Sequence, residues 1–331
     1  MPLDLKTLIE PSSIFAIKAL SPGHPVYLLE GWTLGTALVI KQESTLAAKN
    51  VKTNAMIMHA VSPGATAVPL KPAELQALRT WVTGNPDSTG GRALVSDLGQ
   101  TGTWLKMNAA QGLVDLKGAA NAALAGDKSD VRLIAKALNA PGGLEALGAI
   151  IAADAFNSNN DRFAFDGMGG MNWNGARLQC LANVGNVFVA SSKSGAATPI
   201  GLDTWDPGSQ HKNLREALNE QLSRWPGRML ADAAKAERVT FANMVVEDLE
   251  MVLGPRNRNF LAKALVGTDR LDKQAKPRVV AGIESGAQKI RDYLKHRYGP
   301  ASRQTLPVGL AHRLGALGWL SRSDFPLLAA K

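Results

Sequence analysis

An α+β chain in two parts is what this sequence predicts, on three observations. Residues 1–107 carry short apolar runs bounded by Pro, Gly and Asn clusters, the pattern of strands and turns. From residue 108 onward most apolar residues recur at helical spacing. A length of 331 residues is enough to bury one large core or two smaller ones, which suits a two-lobed protein.

Taken in order, residues 1–20 are an N-terminal segment ending at the breaker cluster Ser21-Pro-Gly-His-Pro25. Val26–Leu29 and Ala37–Lys41 read as strands joined by the turn Gly31–Gly35. Helices are expected over 44–61 and 72–82, the second with Pro72 just inside its start. Residues 84–92 are a loop, and Ala93–Ser96 and Thr103–Met107 read as further strands. Helices follow over 111–125, 129–139 and 143–157, and the Gly-rich stretch 166–175 reads as irregular loop. After 210 the pattern predicts helices at 212–223, 227–235, 240–252, 257–266 and 278–296. In the third, Ala242, Val245, Val246, Leu249 and Leu253 share one face. The last thirty or so residues, with Pro300, Pro307 and Pro326, read as irregular surface chain.

Composition narrows the function classes. The one cysteine, Cys180, excludes an internal disulfide and a Cys-rich zinc site, and reads as a buried or idle thiol. The five histidines show no H-E-x-x-H spacing; neither a G-x-S-x-G elbow nor a Walker motif occurs. No run of about 18 apolar residues suggests a membrane span, and the N-terminus lacks a secretory pattern. A cytoplasmic protein is expected, or one exported without such a peptide. The net charge is +9, and residues 204–331 hold 21 Lys/Arg against 13 Asp/Glu. That basic part reads as a solvated surface or as a docking face for an acidic partner or an anionic membrane. Nothing in the pattern points to nucleic acid.

The chemistry concentrates in Asp154-Ala-Phe-Asn-Ser-Asn-Asn-Asp161-Arg162-Phe163, then Asn183-Val-Gly-Asn186, then Leu202-Asp203. Phosphoryl transfer from ATP needs one carboxylate to orient a hydroxyl, and an amide with a second carboxylate to hold Mg²⁺. Asp161, Asn186 and Asp203 arrive in that order. The run resembles the catalytic core of the actin-fragmin kinase family, an atypical branch of the kinase superfold related to type II phosphatidylinositol 4-kinases. There the catalytic Asp lies in N-x-D-R and the metal Asn in a later N-x-x-N. The likeness covers residues 145–206 well, extends in outline over 15–110, and is not visible beyond about 210.

The resemblance implies a bilobal protein-kinase-like fold. A small β-rich N-lobe would span 1–107, a mainly helical C-lobe core 108–210, and a basic helical extension 211–331. It implies Asp161 as the carboxylate that orients the acceptor hydroxyl, with Arg162 pairing a carboxylate or fixing the loop. Asn186 and Asp203 would be the metal ligands. Asn183 reads as a turn residue, Asp154 as a support, and Asp206 as a weaker competitor of Asp203 because it precedes Pro207. Lys41, ending an apolar strand, would reach the phosphates. Ser21, Gly23 and His24 would cover them, and Trp104 to Met107 would lie beside the adenine, although an apolar stripe is also what a core strand needs.

Kinases pair this lysine with a helix glutamate, yet residues 44–73 contain no Asp or Glu. Glu43 is near in sequence, Asn50 or Asn54 could substitute, and Asp97 is a more distant source. The expected activity is ATP- and Mg²⁺-dependent transfer to a Ser or Thr of a protein substrate. The Ala/Gly-rich composition and the kinase pattern suggest a bacterial effector acting in a host cell, with a cytosolic kinase fitting equally. A phosphatidylinositol-type lipid kinase, an inactive nucleotide-binding scaffold and an AMP transferase are the rival expectations.

Overall fold

The computed structural model describes residues 14–20, 24–31, 37–63, 66–85, 90–109, 112–165, 169–191, 196–202, 229–254 and 271–327. The chain is a mixed α+β protein whose contacts divide it into two compact units, residues 1–59 with 64–111, and 60–63 with 112–331. The helices expected over 212–223 and 257–266 lie outside the described residues, as do Ser21, Gly23 and Asp203.

The first unit is built on an antiparallel sheet of five strands in the order β1-β2-β3-β5-β4. These are β1 (Ile14–Ala19), β2 (Val26–Gly31), β3 (Ala37–Glu43), β4 (Ala67–Pro69) and β5 (Thr103–Asn108). Helix α1 (Thr45–Val61) follows β3, and α2 (Pro72–Gly84) and α3 (Gly91–Leu98) lie between β4 and β5. Along β3 the side chains alternate strictly, with Leu38, Ile40 and Gln42 buried, as a period of two requires. That face packs Ile17, Leu29 and Trp104 against Leu78 and Val82 of α2 and Leu94 and Leu98 of α3.

Two sequence expectations change here. Ala93–Ser96, read as a strand, belongs to helix α3. An apolar run this short fits either period, and the spacing of the buried Leu94 and Leu98 is helical. β1 forms where only an N-terminal segment was expected; its Ile17 is fully buried.

The second unit contains β6 (Leu113–Asp115), α4 (Leu116–Leu124), α5 (Ser129–Asn139) and α6 (Gly143–Asn157). It continues with β7 (Asn172–Trp173), β8 (Ala176–Arg177), β9 (Phe188–Ser191), β10 (Ala197–Ile200), α7 (Lys235–Leu253), α8 (Ala275–Tyr298) and α9 (Val308–Ala316). β10, β9 and β6 form a small antiparallel sheet. β7 and β8 are a hairpin turned by Asn174 and Gly175, both at positive φ. That hairpin corrects the reading of 166–175 as irregular loop: Asn-Gly between apolar residues is the strongest short hairpin signal.

Helix α6 is apolar on all sides and buried along nearly its whole length, which makes it the axis of this unit. α8 crosses it at backbone contact. A Cβ at Gly148 would lie 2.3 Å from the Val279 carbonyl oxygen, and one at Gly282 the same distance from that of Glu145. Any side chain at either position would force the helices apart. The face expected on α7 is observed, with Ala242, Val245, Val246, Leu249 and Leu253 all buried.

The C-terminal stretch is more ordered than its prolines suggested. It forms α9, and buries Leu306, Leu310, Leu314, Trp319 and Phe325. Trp319 stacks on Phe156 of α6 at 6.1 Å, and the Arg291 guanidinium lies 4.8 Å from the Trp319 ring centre. Arg313 is buried and donates to Asn157 Oδ1 at 3.3 Å. Burial pulls its pKa down to about 10. The negative end of the α6 dipole helps to accommodate that charge.

Candidate functional site

Helix α6 ends at Asn157, and Ser158 takes the left-handed conformation (φ 55°, ψ 37°) that turns the chain out of it. A serine in this region is strained, and such strain is kept where the surroundings fix it. Here they do. Asn159 returns to α6 twice, its N–H bonding the Asp154 carbonyl at 2.9 Å and its Nδ2 the Asp154 Oδ1 at 3.0 Å.

The loop then presents Asp161. Its Oδ2 accepts from Asn186 Nδ2 at 2.5 Å and its Oδ1 from Asn183 Nδ2 at 3.4 Å. The predicted catalytic carboxylate and the predicted metal amide are therefore in direct contact. Asn183 is the turn residue expected of it: its Oδ1 accepts from Gly185 N–H at 3.0 Å and caps the 3-10 turn 184–186.

Arg162 points inward, with 1% of its surface exposed. It pairs with the wholly buried Asp154, donates through Nε to the Asn186 carbonyl at 2.6 Å, and reaches the Leu202 carbonyl through Nη2. Burial pushes the Asp154 carboxyl upward. The Arg162 charge and the Asn159 and Arg162 hydrogen bonds oppose that rise, and nearby Asp161 adds to it. Asp154 thus has the support role expected of it. Asp203 follows Leu202 in sequence and lies outside the described residues.

One residue of this assembly was not foreseen. Asp248, fully buried on α7, accepts backbone N–H groups from Gln179 (2.8 Å), Cys180 (2.7 Å) and Leu181 (2.9 Å). Leu181 bridges Phe163, and Ala182 N–H donates to the Arg162 carbonyl at 3.1 Å. One carboxylate therefore holds the segment that links the Asp161 loop to the Asn186 turn. Its signal in the sequence is an acid set within the apolar stripe of α7, where an unpaired charge would be costly. Cys180 is a buried thiol as expected, its pKa raised by burial and by Asp248.

In the first unit, Lys41 lies near the end of β3 opposite Val26 and Leu105. Its Nζ pairs with Glu43 at 2.9 Å. Residues i and i+2 share a strand face, so the carboxylate beside Lys41 lies two positions along its own strand. Asp97, the alternative source, is engaged elsewhere: it accepts from the Tyr27 hydroxyl and from Gln100.

Met107 registers with Val39, on the Lys41 face. Trp104 registers with Gln42, and its ring packs in the core 6.4 Å from Tyr27. It thus stands on the opposite face, which corrects its placement beside a nucleotide. Odd spacing along a strand separates Trp104 from Met107. His24 is exposed between β1 and β2, and its carbonyl accepts the Val26 N–H at 2.8 Å.

Of the two expected Mg²⁺ ligands, Asn186 offers the hard oxygen this ion takes, since its contact to Asp161 engages its nitrogen and not its oxygen; Asp203 lies outside the described residues. Among the described residues no three of His, Cys, Asp and Glu converge. A depression lined by Asn139, Val246, Glu250, Leu271 and Lys276 lies elsewhere in the second unit and contains none of these residues. Comparison with known proteins finds no matching family model, no matching curated protein and no matching solved structure.

Proposed function

We propose that this chain is an ATP- and Mg²⁺-dependent phosphotransferase of bilobal kinase-like layout, acting on a hydroxyl, most simply a Ser or Thr of a protein. The observation that carries the reading is the contact of Asp161 with Asn186 on a loop and turn locked by Arg162 and Asp248. Two further features support it. Lys41 lies on the third strand of an antiparallel sheet, the setting in which kinases keep their phosphate-neutralising lysine. Glu43 gives that lysine a carboxylate partner, which supports an active enzyme over an inactive scaffold.

In this reading Asp161 orients the acceptor hydroxyl and takes its proton as the oxygen attacks the γ-phosphorus; ADP leaves. Asn183 and Asn186 hold the carboxylate in its rotamer, so no reorganisation is needed at that moment. Asn186 and Asp203 would hold Mg²⁺, which would neutralise charge on the phosphates. Lys41 does the same from the protein.

The test is incubation of the full chain with Mg²⁺ and γ-labelled ATP in a cell lysate, beside Asp161→Ala. A labelled band that disappears in the variant is expected. A band that persists in Asp161→Ala, or label arriving only from the α-position, would overturn the reading. Label entering lipid instead of protein would move the acceptor to a phosphoinositide.

A further inference from the structure

Arg162 makes contacts that go well beyond pairing with a neighbour. Its guanidinium is a rigid planar fork, and here the fork is spread over three elements: Asp154 on α6, the Asn186 carbonyl in the 3-10 turn, and the Leu202 carbonyl just past β10. Asp154 is in turn fixed by Asn159 Nδ2. The ring closes on itself, because Asn186 returns its amide to Asp161, the residue bonded to Arg162.

We propose that the Asp154–Arg162 pair is a positioning device for the metal ligand Asn186. By holding the Asn186 carbonyl, Arg162 fixes the backbone from which the amide oxygen is presented. With 1% of its surface exposed, Arg162 is closed off from solvent, and it acts on the metal site through the backbone carbonyls it holds, that of Asn186 first. The same burial excludes it as a docking point for a phosphorylated residue, the use to which kinases put arginines that order an activation loop. The site is therefore assembled by its own interior, without a phosphate switch at this arginine. The inference rests on the phosphotransferase reading.

The test measures metal uptake without turnover. A fluorescent ATP analogue is bound to the full chain and titrated with Mn²⁺ as the probe ion. In Arg162→Lys, which keeps the charge but loses the fork, the half-saturating Mn²⁺ rises roughly tenfold or more, as for other groups that orient a metal ligand. Nucleotide affinity in EDTA stays as in the native chain.

Because a broken buried pair can unfold the chain, the neutral double variant Asp154→Leu/Arg162→Met is measured beside it. It removes the tether without leaving a buried charge, and the same rise is expected in the folded protein. A half-saturating Mn²⁺ equal to native in either folded variant overturns the proposal while leaving the functional reading intact. If the native chain itself takes up nucleotide with no Mn²⁺ dependence, the reading and the proposal fall together.

Discussion

Two cations on which the proposed function draws, one in each unit, are held in opposite ways. Lys41 is paired by its neighbour Glu43, two residues along one strand, and both keep part of their surface open to solvent. Arg162 is closed off from solvent and tied to residues 8, 24 and 40 positions away. A pair formed within one strand can open to admit a phosphate without disturbing the fold. A guanidinium shared among three elements cannot move without moving all of them. The contrast separates a residue available to a ligand from one that is part of the scaffold.

The sharpest way to break this contrast is to remove one half of the buried pair. Arg162→Met alone leaves Asp154 buried and unpaired, and should lower stability by about 3–5 kcal/mol. Urea unfolding reads it, and a loss near that expected for a surface residue would erase the distinction from Lys41. Asp248→Ala comes next. It strands three N–H groups, two of them buried and worth about 1–3 kcal/mol each when left unmade, though relaxation and water entry will recover part. About 3 kcal/mol is expected, with Asp248→Asn milder.

Glu43→Gln should be far gentler, changing stability by less than about 1 kcal/mol while altering the affinity for an ATP analogue. A stability loss as large as that of Arg162→Met would show Lys41 to be scaffold too.

The smallest effect is expected at Glu145, whose carboxyl is held below its ordinary value chiefly by hydrogen bonds from Arg278. A lowered acid contributes stability that is present above its unfolded pKa and is lost as pH falls through the folded one. Its side chain is more than a third exposed, so screening limits the effect to about 0.5 kcal/mol. Glu145→Gln should flatten the acid limb of a stability-against-pH curve by that amount, and an unchanged limb would show the pair to be inert.

What could be read from the sequence follows the same division. Asp161, Arg162, Asn183 and Asn186 were legible because a loop and a turn carry them in short motifs, and the buried face of α7 because its period is clean. Trp104 was misplaced for want of parity: it and Met107 stand three apart on one strand and cannot share a face. Ala93–Ser96 was ambiguous because so short an apolar run satisfies both periods. Asn174-Gly175 was legible and overlooked. Asp248 was visible as an acid in an apolar stripe, but its partners lie nearly 70 residues away, and no local pattern names them.

The crossing of α6 and α8 has a consequence for when the protein becomes complete. The backbone of α6 rests on Val279 and Gly282, and its end is covered by Arg313 and Trp319. Each of those partners lies more than 130 residues downstream of the α6 residue it contacts. During synthesis from the N-terminus, the loop bearing Asp161 emerges long before the chain that steadies it. A nascent polypeptide halted between residue 203 and α9 holds every motif of the proposed site and lacks part of the packing that sets them in place. The loop that bears Asp161 thus gains its full support only once α9 and Trp319 have been made.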